Sequence, residues 1–291
     1  MGQGLPDSSS MTTFTQFIRD YLLAVQFFTR IPITGRLAEW VGYSPERLRA
    51  SAAHFPGIGM LVGSVAAAVY AFLQAALPDT TFTPLVAAVF STIATALLTG
   101  GFHEDGLADV ADGLGGSSDR ERALEIMKDS RVGAFGALAL VLALVAKVAL
   151  LALLGSVEGI PAAGEESLLS GWLVCVALWT GHIVSRGLPL LLIRLLPHVG
   201  DSATSKSKPL ADQISPGSLL IAFIWCFIAL TLASITLPAI NLVVACGFSM
   251  LLLVGMLRFF RRRLQGFTGD CLGATQQVCE IAFYLGLAVS L

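Results

Sequence analysis

Residues 134–154 read AFGALALVLALVAKVALLALL, and Lys147 is the single charged side chain in this stretch. A helix needs about 20 apolar residues to cross the core of a bilayer, so the stretch predicts a membrane-spanning helix. The composition agrees, because 55% of the 291 residues are hydrophobic, 13% are charged and the mean hydropathy is +0.77. Soluble domains average about 25% charged residues, so we expect an integral membrane protein.

Further apolar stretches bring the expected number of spans to about seven. They are Ile58–Leu77, Leu85–Thr99, Leu168–Leu196, Ser218–Leu237, Ala239–Leu257 and Val278–Leu291. The stretch 168–196 is too long for one straight pass, and Gly187 and Pro189 predict a break or kink within it. The expected fold is an all-α, polytopic membrane bundle.

The N-terminal part of the chain differs from the rest. Residues 1–13 are small and polar, which predicts a disordered N-terminus. Apolar residues then recur at spacings of three and four from Phe14 to Val25, which predicts an amphipathic helix in the membrane interface. We expect residues 14–291 to form a single membrane-embedded domain.

The basic residues predict the orientation of this bundle. Most of them lie before the first span or in three connections, 100–132, 198–216 and 258–277, whereas the connections 78–84 and 155–167 contain none. The positive-inside rule therefore places the three basic connections on the cytoplasmic side of the cell (inner) membrane. The arginines of 258–263 favour contact with membrane lipid. A net charge of −2 without a basic stripe argues against a nucleic-acid partner.

The connection 100–132 opens with an acidic motif, GGFHEDGLADVADG over residues 100–113. In a helix, Asp105, Asp109 and Asp112 share one face, where like charges repel by roughly 0.2–0.5 kcal/mol per neighbouring pair. A cation would cancel this repulsion, and Mg²⁺ typically binds one or two carboxylates together with phosphate oxygens. The three aspartates are therefore the candidate metal ligands and, with His103, the candidate catalytic residues. For His103, a hydrogen-bonding or capping role competes evenly with ligation.

Cationic and acidic groups elsewhere could complete a site for an anionic substrate. The candidates are Lys128, Arg131, Lys206, Lys208, Asp270 and Glu280. Arg131 could bind a phosphate with both arms of its guanidinium, and for Lys206 and Lys208 a merely solvated loop is an equal alternative. Glu280 lies one or two turns into the last predicted span, where an ionisable group is a functional hypothesis.

Carboxylates with cationic partners favour a phosphoryl-type transfer. One alternative is a CDP-alcohol phosphotransferase that acts on a lipid alcohol, but Asp109 stands where that family has an arginine. Another is a transporter, which would place ionisable groups at the middle of the membrane. Here the acidic residues cluster in one connection, and Lys147, Arg186 and Glu280 are ionisable residues within the predicted spans.

A longer motif resembles the cobalamin synthase (adenosylcobinamide-GDP ribazoletransferase) family. It runs GGFHxDGLADxxDG over 100–113 and continues as Ile126-Met127-Lys128-Asp129-Ser130-Arg131-x-Gly133. Further segments are also similar to that family, namely Phe28–Pro32, Phe55–Gly59, Ser205–Ala211 and Thr268–Ala274 with Glu280.

The resemblance implies a Mg²⁺-dependent transferase in coenzyme B12 synthesis. A hydroxyl of α-ribazole, or of its 5′-phosphate, would attack the cobinamide-side phosphorus of adenosylcobinamide-GDP, and GMP would leave. In this reaction the three aspartates would hold magnesium on the pyrophosphate, and Asp109 or Asp112 would accept the proton. Lys128, Arg131 and the two lysines of 198–216 would offset the negative charge of the GDP group, with Asp270 and Glu280 as secondary candidates.

Overall fold

The computed structural model describes residues 13–158, 171–200 and 213–291, and these parts of the chain are almost entirely helical. The helices are α1 Thr13–Phe28, α2 Gly35–Val41, α3 Pro45–Ser51, α4 Phe55–Ala76, α5 Thr83–Thr99, α6 Phe102–Gly116, α7 Arg120–Ile126, α8 Ala134–Glu158, α9 Trp172–Gly187, α10 Leu190–Leu195, α11 Pro216–Ala233, α12 Ala239–Arg263 and α13 Gly269–Ser290. The predicted disordered segment, as far as residue 12, lies outside the described residues, and so do Lys206 and Lys208.

Six helical segments are long and apolar enough to cross a membrane. They are Pro45–Ala76, Ala134–Val157, Trp172–Leu195, Pro216–Ala233, Ala239–Arg263 and Gly269–Ser290. Helix α5 becomes a seventh candidate when it is counted together with α6, which follows it at an angle of 90°. The prediction of an all-α polytopic membrane bundle with about seven spans is therefore confirmed.

The right angle between α5 and α6 is made by two glycines. Gly100 and Gly101 have φ angles of 72° and 71°, in the left-handed region where residues with a Cβ are strained. Helix α6 therefore runs perpendicular to α5. The acidic helix thus lies across the end of α5 that the two glycines form.

The predicted break in the stretch 168–196 is also present. Helix α9 ends at Gly187 and α10 begins at Leu190, with Pro189 between them. Proline lacks the N–H that would continue the helical hydrogen bonding, and its ring obstructs the preceding turn. Together α9 and α10 form one broken span.

The last span begins nine residues earlier than predicted, at Gly269 rather than Val278. The first half of α13 contains Asp270, Gln276 and Gln277, whose polarity is typical of a connection outside the membrane. These glutamines are buried, and Ser185 of α9 and Glu104 of α6 accept their hydrogen bonds. Helix α12 likewise continues to Arg263, so only residues 264–268 separate the last two spans.

Helix α1 has the predicted amphipathic character. It buries Leu23, Ala24 and Phe28, and it contacts α2, α3 and α4. An ion pair of 3.2 Å between Asp20 and Arg47 fastens it to α3. This packing brings the C-terminal end of α1 to the same end of the bundle as the turn between α5 and α6, where the backbone N–H of Arg30 donates to the carbonyl of Leu98 at 2.7 Å.

Candidate active site

The acidic motif and the C-terminal motif meet at one end of the bundle. The Arg120 guanidinium donates to the carbonyl of Leu264 at 2.7 Å, and Arg263 donates to the carbonyl of Ser117 at 2.5 Å. Gly106 of α6 packs directly against the backbone of Asp270. The connections 100–132 and 258–277, which the sequence placed on the same side of the membrane, are therefore in contact.

The four aspartates of these motifs have different environments. Asp105 is exposed, Asp109 and Asp270 are half-buried, and Asp112 is buried. Burial, followed by the negative charges of Asp105, Asp270 and Asp112, raises the pKa of Asp109 to about 7. The carboxylates thus lie close enough to repel one another, and Asp270 of α13 adds to the negative potential of the acidic helix.

The carboxylate of Asp112 has a structural role. It accepts hydrogen bonds from the backbone N–H groups of Gly133 at 2.7 Å and Gly136 at 2.8 Å. These donors lie at the start of α8, where N–H groups have no partner within the helix and where the helix dipole favours a negative charge. Both glycines are required, because a Cβ on either would overlap the carboxylate. Asp112 therefore fastens α6 to α8.

We predict that Asp112→Ala lowers the free energy of unfolding by about 1 kcal/mol, the usual cost of losing a helix cap. Asp105→Ala is the matched control, since Asp105 is exposed on the same helix and its loss should leave stability unchanged. Thermal unfolding of the detergent-solubilised proteins measures both. Equal unfolding midpoints for the two variants would contradict the structural role of Asp112.

The aspartates of α6 fit a magnesium ion that is shared with a phosphate ligand. Within residues 13–158, 171–200 and 213–291, no three His, Cys, Asp or Glu side chains converge as a complete metal site. One or two carboxylates are enough when phosphate oxygens and water supply the other ligands. Asp105 and Asp109 can provide them, and a cation would relieve the repulsion that, after burial, raises the pKa of Asp109.

A polar cavity of about 510 Å³ lies beside Asp105. It is bounded by the end of α1, the turn from α5 to α6 and the first half of α8. Arg30 enters this cavity, although sequence reasoning gave Arg30 no role. The motif around Arg30 was noted, but 75 residues separate it from Asp105 along the chain, and only the packing of α1 against α5 brings the two together.

Arg131 and Asp129 line a second cavity, of about 520 Å³, that also reaches Asp112. The Arg131 guanidinium donates to both oxygens of Asp129, at 3.0 Å and 2.5 Å. These hydrogen bonds lower the pKa of Asp129 to about 2. Arg131 is 87% exposed despite this pair, and Lys128 is also exposed, so both predicted substrate-binding cations are accessible from water.

His103 does not face the cavity beside Asp105. Its ring is buried, stacks on Phe55 with centroids 5.7 Å apart, and lines a small apolar cavity of about 30 Å³. Burial, followed by the positive charge of Arg186, keeps the pKa of His103 well below its usual value, so the ring is neutral. Its Nε2 has no hydrogen-bond partner among the described residues, and the ring is instead held between Phe55 and Phe102.

Glu280 lies at the centre of a buried ionic network. Its carboxylate pairs with Lys147 at 2.6 Å and His182 at 3.2 Å, and it accepts hydrogen bonds from Gln276 at 2.6 Å and Tyr284 at 3.0 Å. Because α13 begins at Gly269, Glu280 lies about three turns into its helix, deeper than the predicted one or two turns. The network therefore joins α8, α9 and α13 in the interior of the bundle.

A separate hydrogen bond joins α13 to the acidic helix. Gln277 of α13 donates to Glu104 of α6 at 3.1 Å, one residue before Asp105. The structure does not bring Glu280 itself to the aspartates. Lys147, the charged residue of the apolar stretch 134–154, is therefore paired within the bundle.

Comparison with known proteins gives a consistent result. The family model described as cobalamin-5-phosphate synthase matches residues 20–288. Relatives named adenosylcobinamide-GDP ribazoletransferase include those of Polaromonas naphthalenivorans, 80% identical over 95% of this chain and 99% of that protein, and of Polaromonas sp., 74% identical over 97% and 100%. The relative of the same name from Albidiferax ferrireducens is 62% identical over 95% and 100%. No solved structure matches the chain.

Proposed function

Because this chain belongs to the cobalamin-5-phosphate synthase family, we propose that it is a transferase with the reaction for which its relatives are named. A hydroxyl of α-ribazole, or of its 5′-phosphate, attacks the cobinamide-side phosphorus of adenosylcobinamide-GDP. The new P–O bond forms as the bond to GMP breaks, and the hydroxyl proton is released. The observation that carries the proposal is the family match over residues 20–288. The CDP-alcohol alternative is not favoured, since the matching family and the relatives are all of the cobalamin type.

The protein is an integral membrane protein by its apolar helices. We propose that it resides in the inner membrane with helix α6 at the cytoplasmic face. The distribution of Lys and Arg supports this orientation, because the connections on the side of α6 are basic and those on the other side contain no Lys or Arg. A cytoplasmic site would give direct access to water-soluble nucleotides.

Asp105 and Asp109, with Asp270 beside them, are the residues that would hold Mg²⁺. The ion would supply positive charge to the pyrophosphate, whose charge must be offset as GMP leaves. Asp109 is better placed than Asp112 to accept the proton of the attacking hydroxyl, since the carboxylate of Asp112 is occupied by two backbone N–H groups.

Basic side chains around the site would bind the remaining negative charge of the nucleotide. Arg131 lines the cavity that reaches Asp112, Lys128 is exposed three residues before it in the chain, and both would attract the GDP group. We assign the same role to Lys206 and Lys208, which follow α10 in the chain. The corrinoid and α-ribazole would lie against the cytoplasmic ends of the helices, next to membrane lipid.

The purified protein in detergent should release GMP from adenosylcobinamide-GDP only when both α-ribazole and Mg²⁺ are present. Chromatography measures GMP and the corrinoid product, and the reaction without α-ribazole measures plain hydrolysis. A CDP-alcohol with a lipid acceptor should give no product. Failure to form the corrinoid product, or equal GMP release without magnesium, would contradict the respective parts of the proposal.

A further inference from the structure

Arg30 carries a charge that no other described residue neutralises. Its guanidinium is exposed to the cavity beside Asp105, and it forms no ion pair or side-chain hydrogen bond with any described residue. An arginine is always protonated at physiological pH. The cavity therefore contains a fixed positive charge on one wall and the carboxylate of Asp105 on another, and the two do not pair.

The position of Arg30 is fixed by its backbone and by the turn beneath its side chain. The backbone N–H of Arg30 is bonded to Leu98, and its guanidinium lies directly on Gly100, where a Cβ would overlap it. The side chain thus rests on the turn that directs α6, the helix of Asp105 and Asp109. A group held in this way loses little conformational freedom when it binds a ligand.

We propose that Arg30 binds a phosphate of the substrate pyrophosphate, from the side opposite the acidic helix. The inference rests on the proposed function, and it assigns to the N-terminal motif a direct part in substrate binding. The guanidinium presents paired N–H donors that match phosphate oxygens. The volume of about 510 Å³ lies within the range of small-molecule sites, and it is large enough for a diphosphate between the two charged walls.

Two neighbouring glycines provide a matched pair of variants. Gly100 and Gly101 have nearly the same positive φ, so an alanine at either position strains the backbone alike. A Cβ at Gly100 meets the Arg30 guanidinium, whereas a Cβ at Gly101 meets no atom within 4 Å. Only Gly100→Ala should therefore displace Arg30.

The first test measures the affinity for GDP in the presence of Mg²⁺, without α-ribazole and hence without turnover. Arg30→Ala and Gly100→Ala should bind GDP at least about 10-fold more weakly than the wild type, and Arg30→Lys should recover part of the loss. Gly101→Ala should bind GDP more tightly than Gly100→Ala, because both strain the turn but only Gly100→Ala displaces Arg30. Arg36→Ala should match the wild type, since Arg36 is exposed and does not line the cavity.

The second test measures GMP release with both substrates. Arg30→Ala should lower kcat/KM by about 100-fold, the usual range for losing one donor to a reacting phosphate or oxyanion. Thermal unfolding identifies a variant that fails to fold. If Arg30→Ala is such a variant, the difference in GDP affinity between Gly100→Ala and Gly101→Ala tests the role of Arg30. If the wild type forms no corrinoid product, the proposed function fails while GDP binding still tests Arg30. Unchanged GDP affinity and kcat/KM in Arg30→Ala would overturn the inference.

Discussion

Replacing Asp105 with asparagine should lower the rate of GMP release by about 100- to 1,000-fold, with little effect on folding. Asp105 is exposed and lines the cavity that Arg30 enters, so the substitution removes a charge without disturbing the packing of α6. Asn keeps the shape of Asp but is a weaker ligand for magnesium. The substitution should therefore lower the turnover rate and also raise the magnesium concentration that the enzyme requires.

Steady-state assays across a range of Mg²⁺ concentrations measure this effect. Asp105→Asn should need more magnesium for half-maximal activity, and electron paramagnetic resonance should show weaker binding of Mn²⁺ as a probe. Glu121→Gln is the control, because Glu121 is an exposed carboxylate on the neighbouring helix α7. Near-normal turnover in Asp105→Asn with an unchanged magnesium requirement would exclude this aspartate as a ligand.

Replacing Lys147 with methionine should destabilise the protein by about 3–5 kcal/mol, because it removes the ammonium that balances the charge of the buried Glu280 carboxylate. The side chains of Lys147 and Glu280 are only 3% and 1% exposed. Glu280→Gln should have a similar cost, since it leaves the ammonium of Lys147 buried alone. The double variant, Lys147→Met with Glu280→Gln, should recover much of the stability because neither charge remains.

Unfolding of the solubilised proteins by heat or denaturant measures this double-mutant cycle. Lys128→Met serves as the control, because Lys128 is exposed in the connection between α7 and α8. Single variants as stable as the wild type, or a double variant whose loss equals the sum of the two, would show that the pair contributes no coupling energy.

Sequence reasoning identified the spans because hydropathy is a property of each segment by itself. It missed the first half of α13 because Gln276 and Gln277 look like residues of an aqueous connection. They are helical and buried only because Ser185 and Glu104, from two other helices, accept their hydrogen bonds. Pairing between distant segments is not encoded in the polarity of either one.

The site, like the fold, was predictable where it depends on one segment and not where it depends on contacts between segments. A helical spacing places Asp105, Asp109 and Asp112 on one face of α6, and the structure confirms the helix. The spacing could not reveal that Asp112 binds the start of α8, nor that Arg30 lies beside Asp105, because both depend on how separate helices pack. Local periodicity thus predicted the acidic helix, and only the tertiary structure separates its carboxylates by role.

The ion pair inside the bundle also has a consequence for biosynthesis. Lys147 enters the membrane with α8, but Glu280 is synthesised 133 residues later, on α13. At about 5–20 residues per second, translation leaves the lysine without its counter-ion for roughly ten seconds. During that time its long side chain can reach towards the interface, and it takes its position in the bundle when the last helix arrives. A chain interrupted before Glu280 would keep an unmatched charge in the bilayer, a feature by which membrane quality control could recognise an unfinished molecule.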